Sequence, residues 1–115
     1  MIPTEIKLKR RERSLAVAYE DGVRHELPCE YLRVFSPSAE VRGHAGGEGR
    51  LVVGKREVGV TRVEPVGNYG VRLHFDDGHA TGIFTWDYLR ELGENREAYW
   101  ARYLERLEQA GGSRD

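Results

Sequence analysis

Three turn dipeptides cut most of this sequence into segments too short for long helices, and they constrain the fold more than any other feature. Asp21-Gly22, Gly67-Asn68 and Asp77-Gly78 each stand between stretches of alternating or β-branched residues, the pattern of hairpins in antiparallel sheets. Residues 5–9 alternate apolar and charged side chains, residues 14–19 form a second strand, and residues 23–27 return antiparallel to it. Pro28 suits the first position of a short helix over residues 29–35. Residues 36–50 hold four glycines without periodicity and are expected to form a mobile loop. Beyond them, residues 58–63, 69–75 and 79–84 read as a three-stranded meander.

Helical periodicity enters at the end. Thr85 is placed to cap a helix over residues 86–92, with Asp87 favourable to the helix dipole and Gly93 as terminator. Asn95 is placed to cap a last helix, in which Trp100, Tyr103, Leu104 and Leu107 recur at i, i+3, i+4 and i+7 before Gly111-Gly112. Strands first and helices last give an α+β domain: small antiparallel sheets, one with the N-terminal hairpin and one a meander, with short helices and a C-terminal helix.

A chain of 115 residues fits one domain and needs neither metal nor disulfide to fold. Its single cysteine, Cys29, excludes an intrachain disulfide, and no apolar run approaches the ~20 residues of a membrane span. The first five residues lack the apolar core of a secretory signal, so a cytoplasmic protein without membrane contact is expected. A net charge of −1 argues against a nucleic-acid partner. The basic residues Lys7, Lys9, Arg10, Arg11 and Arg13 have no interleaved aromatics and read as a solvated strand face with its turn.

The segment Tyr31-Leu32-Arg33-Val34-Phe35-Ser36-Pro37-Ser38-Ala39-Glu40, the later Val66-Gly67-Asn68-Tyr69-Gly70, and the stretch from Phe75-Asp76-Asp77-Gly78-His79 to Trp86-Asp87-Tyr88-Leu89 are similar to the gamma-butyrobetaine hydroxylase-like N-terminal domain family. With Pro3 and the Asp21-Gly22 hairpin the match spans about residues 3–92. The resemblance implies a family domain over 1–92, with 93–115 as a helical extension of the same single domain. In that family the domain stands alone in bacteria, precedes the catalytic domain of the hydroxylases, and is joined to P-loop ATPases of iron–sulfur cluster delivery. It therefore implies a non-catalytic accessory or adaptor domain that docks on a protein partner in the setting of iron–sulfur cluster handling. The expected contact residues are Tyr31, Leu32, Arg33, Asp77, His79 and Trp86.

The hydroxylase version binds structural zinc through three cysteines and a histidine. Those cysteine positions align with Ser36, Ser38 and Val41, and His79 stands at the histidine position. A structural zinc site needs four soft or imidazole ligands, so no metal or cofactor is expected, and His79 remains the one metal candidate. The alternative function is a small metal- or cluster-handling protein using His79 with His74, Asp76 or Cys29 and a partner's ligands. The expected role of His79 is instead to hold the Asp76-Asp77-Gly78 turn against Leu32-Arg33 through a ring nitrogen. His25 and His44 lack metal-ligand spacing, and Cys29 has no base beside it. The Gly43 to Gly49 loop lacks the Lys-Ser/Thr of a phosphate cradle. No catalytic constellation emerges and no enzyme is expected, while the stripe on the last helix offers a self-association surface.

Overall fold

The computed structural model describes residues 2–37 and 51–115. The glycine-rich stretch with His44, and positions Ser38 and Val41, lie outside the described residues. Strands β1 (Pro3–Lys9), β2 (Ser14–Tyr19) and β3 (Arg24–Pro28) form one antiparallel sheet in that order. Its register places Leu8 opposite Leu15 and Leu15 opposite Leu27, so a row of leucines crosses the sheet on its core face. Strands β4 (Val60–Val66), β5 (Gly70–Phe75) and β6 (Ile83–Thr85) form a second antiparallel sheet, again in sequence order. Along β5 the buried Val71, Leu73 and Phe75 alternate with the half-buried Arg72 and His74, as a strand with one face on a core requires.

The two sheets share no strand. What joins them is the helical layer: α1 (Cys29–Val34), α2 (Trp86–Glu94) and α3 (Arg96–Ala110). One apolar cluster takes Leu15 and Leu27 from the first sheet, Leu73 and Phe84 from the second, Tyr31 and Leu32 from α1, and Leu89 and Leu92 from α2. Within it the Tyr31 hydroxyl donates to the Leu92 carbonyl at 2.7 Å. A smaller cluster of Val34, Tyr103 and Leu107 fixes α3. Thr85 caps α2 as expected, accepting the Tyr88 N–H at 3.2 Å. Gly111 ends α3 in the left-handed conformation, and the Gly111 and Gly112 amides donate to the Glu108 and Leu107 carbonyls, the paired bonds of a Schellman motif.

Local signals were resolved differently at five places. Pro28 closes the edge strand β3 opposite Ser14 and stands before α1, not as its first residue; an edge strand tolerates a residue without N–H. The third strand of the meander is only Ile83–Thr85, which leaves His79 outside the ladder. An Asp-Gly pair favours a type I′ hairpin turn, which needs positive φ at both central residues, and the Asp77-Gly78 turn is not of that type. Gly78 has φ 90°, but Arg13 is the sole non-glycine with positive φ among the described residues. The Phe75 amide donates to the His79 carbonyl and the Gly78 amide to the Phe75 carbonyl, so the loop has three residues and closes through one left-handed glycine. Gly93 does not stop α2; it lets the His25 ring pack against the helix, where a Cβ would stand 2.4 Å from the ring carbons. Asn95 makes no side-chain capping bond to α3 and instead donates from Nδ2 to the Glu91 carbonyl at the end of α2.

No helix among the described residues is long and apolar enough to cross a membrane.

Two glycine substitutions separate these causes. Gly78→Val is expected to cost about 1–3 kcal/mol through backbone strain alone, because a Cβ there meets nothing within 4 Å. Gly93→Ala is expected to cost a similar ~1–3 kcal/mol through overpacking. Thermal unfolding reads both, and adding His25→Ala should relieve the Gly93 variant but not the Gly78 variant. Equal melting temperatures for wild type and either variant would contradict the corresponding assignment.

Candidate functional site

The Asp76-Asp77-Gly78 loop and the end of α1 meet through charge. Asp77 Oδ2 accepts from Arg33 Nε at 2.8 Å and from Lys55 Nζ at 2.6 Å, while its Oδ1 accepts the His79 amide at 3.1 Å. Partial burial pushes the Asp77 carboxyl up, but Lys55, the His79 amide and Arg33 together outweigh it and hold the group at about 2. The His79 ring, tilted over Phe75, shares a hydrogen bond between Nε2 and the Ser36 hydroxyl at 2.9 Å. The turn is thus tied to α1 through Asp77 and Arg33, while the imidazole's partner is Ser36, just past α1, and not the Leu32-Arg33 segment.

Ser36 is fully buried, and Gly82 packs so closely that a Cβ there would stand 2.3 Å from the Ser36 hydroxyl oxygen. A serine hydroxyl bonded to the imidazole, in a space this tight, does not suit the zinc that the family resemblance raises. Among the described residues no group of three or more His, Cys, Asp or Glu side chains could hold a metal ion.

The remaining titratable candidates disperse. His74 bonds Glu64 at 2.8 Å on the outer face of the second sheet, away from His79. The His25 ring lies between Tyr19 and Gly93. Cys29 is 1% exposed, and desolvation by burial pushes its thiol up, the opposite of what a helix N-terminus would give a nucleophile. Of the basic run, Lys9 pairs with Glu26 and Arg13 with Glu57.

Of the six residues expected at a contact surface, the structure brings together Arg33, Asp77 and His79. Tyr31 and Leu32 are 1% and 0% exposed and pack in the main apolar cluster, although Tyr31 also lines a groove on the α1 side of the molecule. Trp86 sits at the far end of β5, its indole N–H donating to the Asn68 carbonyl at 2.7 Å.

A concavity of about 670 Å³ lies elsewhere, between α1 and α3. Trp100 forms its floor, edge-on to Tyr31, with Pro28, Ala101 and Leu104 along the walls. Leu104 is 40% exposed, so this part of the α3 stripe is not used by the chain's own core. At one end Glu30, 8% exposed, receives Arg114 in a bidentate pair at 2.8 and 2.6 Å, and the Arg114 guanidinium lies 5.4 Å above the Trp100 ring. Glu30 and Arg114 carry no periodic signal. The one hint is a glycine pair that reverses the chain after an amphipathic helix and delivers a cation three residues past its first glycine.

The family model described as gamma-butyrobetaine hydroxylase-like, N-terminal, matches residues 6–90. A solution structure determined by NMR is 49% identical, covers 99% of this chain and 90% of its own, and superposes with a TM-score of 0.86. A second NMR structure is 47% identical over 98% of this chain and 84% of its own, with a TM-score of 0.85. The crystal structure of a protein of unknown function from Acidithiobacillus ferrooxidans, which belongs to the DUF971 family, is 45% identical over 79% of this chain and 91% of its own, with a TM-score of 0.67. None of the curated proteins matches this chain. At 99% and 98% coverage the two solution structures extend over α3, beyond the residues that the family model spans.

The Asp77 cluster has a pH signature. Its folded carboxyl, at about 2 against an ordinary 3.8, contributes about 1–2 kcal/mol at neutral pH once solvent screening is discounted. Because the folded value is depressed, that stability is present above about pH 4 and is lost as pH falls towards 2. Urea unfolding at pH 5 and pH 2 should show wild type losing about 1–2 kcal/mol more than Asp77→Asn. Equal losses would mean that the carboxylate is not held by Arg33 and Lys55 in solution.

Proposed function

We propose that this chain, which belongs to the gamma-butyrobetaine hydroxylase-like N-terminal family, is a non-catalytic docking module that receives a protein partner in the groove between α1 and α3. The observation that carries this reading is the groove itself: a concavity of about 670 Å³ whose lining residue Leu104 is 40% exposed on a helix whose other large apolar side chains are buried or half-buried. A large apolar side chain left accessible beside an aromatic floor is the arrangement on which protein partners anchor.

The chemistry of the side chains supports docking over catalysis. The groups that could act on a substrate are engaged in holding the fold: Asp77 with Arg33 and Lys55, His74 with Glu64, and His79 with Ser36. Cys29 is enclosed with a raised thiol pKa. In the iron–sulfur setting that the resemblance suggests, cluster ligation falls to the partner and this chain supplies the contact.

The test is selective capture. The partner retained from a native cell lysate by wild type should be lost with Leu104→Asp, a change at a half-open site expected to alter folding stability by less than about 1 kcal/mol. Sedimentation of the purified chain separates this from self-association, which would occupy the same groove. A retained partner indifferent to Leu104→Asp, or no reproducible partner at low salt, would overturn the reading.

A further inference from the structure

Glu30 is a carboxylate with 9% of its side chain exposed, and the cation that neutralises it comes from 84 positions away. Arg114 belongs to a short segment that turns back at Gly111 and Gly112 and is strapped down by backbone bonds, Gly54 N–H to the Ser113 carbonyl and Arg56 N–H to the Arg114 carbonyl, both 2.9 Å. Asp115 adds an ion pair with Arg56. The strap is slight, and 30% of the Arg114 side chain remains exposed at the groove's mouth. Any partner that enters the groove and lifts this segment uncovers a buried carboxylate, which is strongly unfavourable unless another cation replaces the first.

The site narrows what that cation can be. It offers two carboxylate oxygens to two N–H groups of one planar head, and an indole face for that head to lie on. A guanidinium meets both demands. An ammonium, with no planar fork, can satisfy neither the bidentate pair nor the stack as well. Leu104, Ala101 and Pro28 then line the continuing groove with apolar surface, beside the charged Arg96 and Glu97.

We infer that the Glu30–Trp100 niche is a receptor for an arginine side chain of the partner, flanked by apolar residues, and that Arg114 is a built-in competitor that the partner's arginine displaces. This deepens the docking proposal and rests on it. Arg114 keeps the carboxylate neutralised while the groove is vacant and weakens the entry of segments that bring no guanidinium.

The test uses the full chain and defined probes: blocked tripeptides Leu-Arg-Leu and Leu-Lys-Leu, and the small cations N-ethylguanidinium and ethylammonium. The Trp100 indole N–H resonance reads binding, and thermal unfolding reads rescue. Arg114→Ala should bind the arginine peptide about tenfold more tightly than wild type does, and about tenfold more tightly than it binds the lysine peptide. N-ethylguanidinium at tens of millimolar should raise the melting temperature of Arg114→Ala, leave that of wild type unchanged, and act better than ethylammonium. Glu30→Gln in the Arg114→Ala background should abolish both effects. If Arg114→Ala does not fold, Arg114→Lys keeps a cation beside Glu30, and the arginine peptide should bind it more tightly than wild type.

Equal affinity for the wild type and the Arg114 variants, equal affinity for the two peptides, or absence of binding overturns the inference. Such a result leaves the docking reading standing if capture of a partner still depends on Leu104. Peptide binding without any captured partner would count against docking while leaving the niche chemistry intact.

Discussion

Two three-stranded sheets that share no strand have to be joined through side chains, and in the apolar cluster that joins them α1 and α2 both take part. Tyr31 is the centre of it: its hydroxyl reaches the Leu92 carbonyl on α2, and its ring meets Phe35 and Trp100. A buried tyrosine without a partner for its hydroxyl would destabilise the fold by about 1–3 kcal/mol, so the bond to Leu92 fixes where α2 can lie. Desolvation by burial pushes the Tyr31 hydroxyl pKa well up, which keeps it a donor. Because the same ring supports Trp100, the position of α1 also sets the floor of the groove, and the interaction that unites the sheets shapes the surface proposed for docking.

That arrangement explains why the polar residues of the family motif act on architecture. Arg33 leaves α1 towards Asp77, and Ser36, just beyond the helix, meets His79. Both bonds tie the loop between β5 and β6 to α1, while Arg90 ties α2 to the first hairpin through Asp21. Each joint crosses between elements that are not strand partners. The proposed functional surface then falls to α3, which lies outside the residues the family model spans.

The strands and the last helix were legible because their signals are local. Alternation over residues 5–9, the cap at Thr85 and the stop at Gly111 each depend on a few neighbours, and the structure places them where those neighbours require. The misread positions depend on distant partners. Gly93 looks like a helix stop until His25, in another element, is seen to need its space. Asn95 faces two helices and caps the earlier one. Tyr31 and Leu32, which carry part of the family likeness, are core residues, a placement set by the distant elements that pack on α1. The Glu30–Arg114 pair spans 84 positions, and no periodicity could have announced it.

Which face a bound partner covers decides whether the groove between α1 and α3 is the docking site. Isotope-labelled chain titrated with the captured partner, followed through its backbone amide resonances, maps that face directly. The expected result is a change concentrated on Glu30, on α3 around Trp100, Ala101 and Leu104, and on the strap at residues 113–115, with the Asp76-Asp77-Gly78 loop unmoved. A map centred instead on that loop and His79, or on the outer face of β4 and β5, would contradict the claim that the groove between α1 and α3 is the docking site.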